Sequence, residues 1–110
     1  MTDPASIEGP LSGYRILDLS QVYSGPYATF LLAAAGAEVL KLEPPWGERR
    51  RKDEPPGSAL PFVMFNAGKR SLSLDISNPE GRALLLRLAA TADVLVENYR
   101  PGVMDKLGLG

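Results

Sequence analysis

Neither cysteine nor histidine occurs among the 110 residues. The first absence excludes disulfides, thiolate metal sites and a thiol nucleophile, and the second removes the commonest general base and metal ligand; no metal centre is expected. An excess of charge of one sign is also missing: 12 Lys and Arg stand against 13 Asp and Glu, a formal net charge of -1. Nothing global therefore draws the chain to nucleic acid or to an acidic membrane, and any anion binding must come from local clusters. No segment approaches the roughly 20 apolar residues that cross a bilayer, and the opening MTDPASIEGP lacks the positive start and apolar run of a secretory signal. The expectation is a cytoplasmic protein without membrane insertion.

An apolar fraction of 45% in a chain this short gives one modest domain with a real core. After a polar leader over Met1–Pro10, the stretch Tyr14–Leu19 is long enough for a strand and too short for a helix. Pro26 suits the first turn of a helix through Ala35, which Gly36 ends. AEVLKL over Ala37–Leu42 predicts a second strand, stopped by Pro44 and Pro45. Strand, helix, strand is the unit of a parallel sheet. The segment Trp46–Gly57 has no apolar period and reads as a surface excursion, and Leu60–Asn66 suits a short helix or packed turn. SLSLDI over Ser71–Ile76 alternates as a strand. Asn78 and Pro79 open a helix whose buried stripe is Leu84, Leu85, Leu88 and Ala89. DVLVE over Asp93–Glu97 is the fourth strand, and Met104–Leu107 starts a further helical turn. A four-strand layer wants helices on both faces, and only two substantial ones are legible; the chain reads as the front of a longer fold.

In an open parallel sheet, ligands sit beyond the carboxyl ends of the strands. Three loops leave such ends: Gln21–Pro26, Glu43–Gly47 and Asn98–Gly102. The first supplies a hydroxyl, an amide and a helix terminus, although an ordinary capped helix explains the same residues. It holds only Gly25 and so is no GxGxxG fingerprint, and Lys69 followed by a strand is no phosphate loop of the GxxxxGK type. The basic run Arg49–Lys52 suits phosphate, but Glu48, Asp53 and Glu54 weaken its field and a solvated loop is the simpler account. Lys69 and Arg70 suit a phosphate or fix a carboxylate from another element. In Asn98-Tyr99-Arg100 the amide suits a hydrogen-bonding edge, the ring a flat apolar group and the guanidinium an anion; a plain helix start is the competing reading. Asp18, Glu43, Asp75, Asp93 and Glu97 fall at strand edges or ends, with nothing to pair them in one pocket, so no general acid or base is named.

Taken in order, LSGYRILDLSQVYSGPYATFLLAAAGAEVLKLEPP and FNAGKRSLSLDISNPEGRALLLRLAATADVLVENYRPGVMDKLGLG resemble the amino-terminal part of the family III acyl-CoA transferases. That group includes the alpha-methylacyl-CoA racemases and carnitine-CoA enzymes. The resemblance runs from about Gly9 to Gly110. It implies a Rossmann-like α/β lobe, a mostly parallel sheet with flanking helices. On this reading residues 1–110 form the amino-terminal part of the CoA-binding lobe of a larger fold, and the catalytic remainder is absent.

The implied activity is transfer of CoA between an acyl-CoA thioester and a carboxylic acid through a downstream aspartate, in an interlocked homodimer. The isolated chain would then be inactive and would hold no catalytic residue. A racemase or a non-catalytic CoA-binding fragment are the alternatives. Carried over position by position, Val22 and Tyr23 fall where family members line the pocket near the thioester, with Tyr23 where many transferases have glutamine. Asn98, Tyr99, Val103 and Lys106 match the segment bordering CoA, Lys106 replacing an arginine, and Arg100 is a weaker candidate beside them. Pro44 falls where some members have an arginine near the nucleotide end. Lys69 and Arg70 match a family signature and are read as architectural.

Overall fold

The computed structural model describes residues 8–48, 51 and 56–110. Met1–Ile7 of the leader, Arg49, Arg50 and Lys52 of the basic run, and Asp53 and Glu54 beside it lie outside the described residues.

Eight elements follow in order: β1 (Arg15–Asp18), α1 (Ser24–Ala34), β2 (Glu38–Glu43), α2 (Leu60–Asn66), β3 (Arg70–Ser73), α3 (Pro79–Ala89), β4 (Val94–Val96) and α4 (Val103–Lys106). The strands form one parallel sheet in the order β3-β2-β1-β4. Ile16 stands opposite Val39 on one side and Val94 on the other, and Leu42 opposite Leu72. The chain thus moves one way from β1 through β2 to β3, then crosses back to lay β4 on the far side of β1. The gap between β1 and β4 is a topological switch point, where connecting loops diverge and leave a crevice.

Alternation along the central strands sorts their side chains between two layers. Ile16 and Val39 pack with Ala33 and Ala37 under α1, while Leu17, Leu19 and Leu42 pack with Leu85 of α3 on the other face. Leu17, Leu19 and Leu85 are almost wholly buried, each worth about 1.5–3 kcal/mol of transfer free energy. Gly36 closes α1 at φ 106°, a backbone that only glycine adopts without strain. Asn78 caps α3 by accepting the Glu80 N–H at 2.9 Å.

Two expectations shift. β3 ends at Ser73, short of Ile76, because the Asp75 carboxylate takes the Ser77 N–H at 3.0 Å and its hydroxyl at 2.5 Å, folding the backbone into a turn. In α3, Leu84 is 45% exposed; the packed stripe is Gly81, Leu85, Leu88 and Ala89, and Leu84 lies on its flank.

The same alternation drives charge inward. Asp18 and Lys41 point to the α1 side at the carboxyl ends of β1 and β2, and both side chains are buried. Asp18 accepts from the Ser20 N–H at 2.9 Å, the Ser20 hydroxyl, Thr29 Oγ1 at 2.6 Å and Lys69 Nζ at 3.0 Å. Lys69 gives its other protons to Pro26 O at 3.1 Å and Asn66 Oδ1 at 2.8 Å. Every ammonium proton is therefore placed, the condition under which a buried pair is tolerated. Burial opposes the Asp18 charge, but the Ser20 and Thr29 hydrogen bonds and the Lys69 ammonium outweigh it and hold its pKa below the ordinary 3.8. Burial also pulls the Lys69 ammonium below its usual value in spite of Asp18.

Removing one member of this pair leaves a charge buried alone. Lys69→Met is expected to cost about 3–5 kcal/mol in urea unfolding, whereas Arg15→Ala, which breaks an exposed pair with Glu38, costs under about 1 kcal/mol. The depressed Asp18 pKa also sets a sign. Near and below 3.8 the unfolded chain binds more protons, so the stability supplied by Asp18 is complete above that pH and lost as pH falls toward the folded pKa. A urea midpoint unchanged between pH 6 and pH 3 would contradict this.

Candidate functional site

All three loops named above meet beyond the carboxyl ends of the strands. Between those of β1 and β4 lies an open cavity of about 420 Å³, lined by Gln21, Val22, Tyr23, Ser24, Asn98, Tyr99 and Arg100. A second, of about 220 Å³, adjoins it through Gln21 and Tyr99 and runs along the loop after β2, past Glu43, Pro44 and Trp46, to Leu74–Ser77, Val103 and Leu107. Tyr23 and Tyr99 thus share one groove. Val22, Tyr23, Asn98, Tyr99 and Arg100 come together in the first cavity and Val103 lines the second. Lys106 lies one turn further along α4, exposed and outside the lining of both.

The geometry of the β1 loop is fixed from outside itself. The Asn98 side chain accepts the Gln21 N–H at 2.9 Å and donates to the Gln21 carbonyl at 2.7 Å, gripping one residue's backbone from both sides. Gly25 packs so tightly on Ser20 that a Cβ there would overlap the Ser20 side chain. Val22 follows at φ 73° and is the one non-glycine residue with positive φ among the described residues. For a β-branched residue that conformation costs about 1–3 kcal/mol and persists only where its surroundings impose it. Its N–H donates to Glu48 Oε1 at 3.0 Å.

Glu48 is itself buried, facing Lys41 Nζ at 2.7 Å through Oε2, which makes no directed hydrogen bond. Lys41 also donates to the Ser20 carbonyl at 3.2 Å and lies 5.6 Å from the Phe62 ring centroid. The Glu48 N–H is taken by Glu43 Oε2 at 3.2 Å, and Arg51 grips Glu43 through two nitrogens at 3.0 and 2.7 Å. The Arg51 hydrogen bond holds the Glu43 pKa below its usual value against the effect of burial. Glu43 and Asp75 do share the second cavity's wall, yet Arg51 engages one and Ser77 the other.

The aromatic walls are braced as well. Tyr23 and Tyr27 both meet Phe65 of α2 edge-on, with centroids 6.1 and 5.5 Å away. Tyr99 packs its ring on the α3-side core, and burial, with the Glu97 charge, pushes its phenol above the usual value so that it stays protonated. Trp46 is 71% exposed at the rim.

Residues 11–110 match the family model described as CoA-transferase family III. The chain belongs to that family. A probable fatty acyl-CoA transferase of Mycobacterium tuberculosis, Rv3272, is 45% identical over 107 residues, an alignment covering 92% of this chain and 27% of that protein. A formyl-CoA:oxalate CoA-transferase of Rhodopseudomonas palustris strain BisA53 is 49% identical, covering 89% and 24%. The crystal structure of Rv3272 in an orthorhombic form superposes with a TM-score of 0.87 at 45% identity, over 93% of this chain and 28% of the other. A CAIB/BAIF family protein from Brucella suis gives 0.85 at 38% identity, over 93% and 29%. The chain therefore spans about a quarter of the length of these relatives and carries the amino-terminal part of the family III fold.

Within this family III segment, sequence reasoning missed Glu48 and Lys41 as builders of the site. Nothing local in PPWGE marks a buried carboxylate; the alternation of AEVLKL, which turns Lys41 to the side of Val39, was the available signal. The Leu74–Ser77 wall was also missed, because the pattern there reads as continuing strand.

Asn98→Ala removes both contacts to the Gln21 backbone. The expected outcome is amide exchange at Gln21 faster by about tenfold or more with under about 1 kcal/mol lost in global stability, since solvent replaces bonds at this exposed position. Equal protection in the two proteins would show that Asn98 does not hold the loop.

Proposed function

We propose that this chain is the amino-terminal part of the CoA-binding lobe of a transferase that moves CoA between an acyl-CoA thioester and a carboxylic acid. The observation that carries this reading is the single groove shared by Tyr23 and Tyr99 at the switch point, in a chain of this family. An elongated ligand with a flat base, an apolar arm and anionic phosphates needs aromatic surface, apolar wall and cation along one path. Val22, Tyr23 and Tyr99 offer the first two, and Arg100 is the cation on the lining of the larger cavity.

On this reading the thioester end faces Val22 and Tyr23 beside the amino end of α1, where no side chain caps the helix and no acidic residue enters the first turn. A developing negative charge is favoured there. Asn98 acts through the Gln21 backbone, Tyr99 separates the two cavities, and Val103 supplies apolar wall. Lys106, exposed on α4, meets the ligand only at its outer end. The reactive carboxylate is the downstream aspartate that the family resemblance implies, and Asp18, Glu43 and Glu48 of this chain are each held by a cation. Assembly as an interlocked homodimer belongs to the same proposal.

The test is exchange of an isotopically labelled carboxylic acid into acyl-CoA by the full polypeptide that carries this segment. Label in the acyl-CoA is the expected result, with Tyr99→Ala weakening CoA binding by about tenfold in calorimetry. Solvent deuterium entering the α-carbon without any acceptor acid would replace the transferase by a racemase. Absence of CoA binding by the folded polypeptide would remove both.

A further inference from the structure

Among the peptide groups of the β1 loop, those from Ser20 to Val22 are held one by one by side chains from elsewhere. Asp18 takes the Ser20 N–H, Lys41 the Ser20 carbonyl, Asn98 both groups of Gln21, and Glu48 the Val22 N–H. Four of these contacts would suit any loop of this length. The fifth falls on the residue that is least suited to its own backbone, a valine at φ 73°. Without an acceptor waiting at that point, rotation of the Val22 peptide back to the extended region relieves the strain and swings Val22 and Tyr23 out of their places on the cavity wall.

We infer that Glu48 is a positioning residue whose Oε1, by holding the Val22 N–H, fixes the left-handed peptide that shapes the wall of the Val22–Tyr99 cavity, with Lys41 keeping that carboxylate aimed. The carboxylate is suited to the task. Its side chain is 2% exposed and that of Lys41 is 3% exposed, so water competes for neither. Oε2 is taken up by the ammonium, which leaves Oε1 turned to the loop. The Glu48 N–H is in turn tied to Glu43, so the brace is anchored to the end of β2 and not to a free loop. The consequence for ligand binding rests on the reading of this cavity as the CoA site; the consequence for the backbone does not.

The test separates the acceptor from the charge. In the full polypeptide, Lys41→Met with Glu48→Gln removes both charges and keeps an oxygen for the Val22 N–H, whereas Lys41→Met with Glu48→Leu removes that oxygen too. Single variants are avoided because each strands a buried charge. Amide exchange in the peptide containing Val22 should stay within about threefold of the parent in the Gln variant and accelerate by about tenfold or more in the Leu variant. CoA affinity by calorimetry should fall by about tenfold only in the Leu variant. Adding Val22→Gly, which makes the left-handed turn unstrained, should shrink that difference in affinity. Equal protection of Val22 in the two double variants, both folded by urea titration, would overturn the inference. Separation of the variants by exchange, with no CoA binding by the parent, would uphold the brace and overturn the CoA assignment instead.

Discussion

A layer of charge sealed between a parallel sheet and the helices on one of its faces is the constraint on which the rest of this fold depends. Burying Asp18 and Lys41 at adjacent strand ends is unfavourable unless each charge meets an opposite one and every remaining lone pair or proton is occupied. Lys69 meets the first and Glu48 the second. Lys69 arrives from the residue just before β3 and reaches Asp18 at the end of β1, across β2, so that pair forms only when three strands are in register. Lys41 and Glu48, by contrast, pair within β2 and the loop that follows it. The Asp18–Lys69 pair therefore specifies the arrangement of the strands as much as it stabilises it.

Their position explains why the crevice has walls that keep their shape. Strand order reverses at β1, which opens a gap towards β4, but a gap alone would be lined by mobile loops. Here the β1 loop is tied on one side to Asn98 and on the other to the Lys41 and Glu48 pair. Both ties reach the loop through backbone groups, and the side chains of Val22 and Tyr23 line the cavity. A strained valine is tolerable in such a setting because the surroundings over-determine its conformation. Neighbouring rings are supported in the same way, with Phe65 meeting Tyr23 and Tyr27 edge-on.

Much of this architecture is legible from periodicity and punctuation. Gly36, Pro44, Pro26 and Asn78 mark ends that the structure places within a residue or two, and the three rim loops follow from parallel strands alone. Misreadings have a common cause, in that a side chain's local pattern says nothing about what it meets in space. SLSLDI alternates to its end, yet Asp75 captures Ser77 and stops β3 early. Leu84 fits a helical stripe as well as Leu85 does, but adjacent residues point about 100° apart on a helix and only Leu85 is buried against the sheet. Lys69 was open to a phosphate or to a carboxylate from another element, and the carboxylate is Asp18, far away in the chain. The seven residues carried over from the family resemblance include six that line the two adjoining cavities, whereas Glu48, which acts on the backbone from behind, belongs to no motif.

The distribution of carboxylates bears on where chemistry takes place under the proposed function. A nucleophilic carboxylate needs an oxygen with a free lone pair directed at the reacting carbon. Asp18 has four donors on it, Glu43 carries Arg51, and Glu48 is divided between Lys41 and the Val22 N–H. Withdrawing Asp18 or Glu48 would strand a buried cation, and Glu43 is gripped by the half-exposed Arg51 through two nitrogens. Among the described residues, no acidic side chain lines the larger cavity. A wall of valine, tyrosine and uncapped helix end suits a thioester carbonyl that is held and oriented but not attacked from this side. The reacting group must then approach across the open face of the groove. Exposed apolar side chains crowd the neighbouring α1 and α2 surface, among them Tyr27, Leu31, Val63 and Met64. A helix apolar on all sides is ordinarily covered on all sides, and a covering that buries α1 would add a second wall beside Val22 and Tyr23.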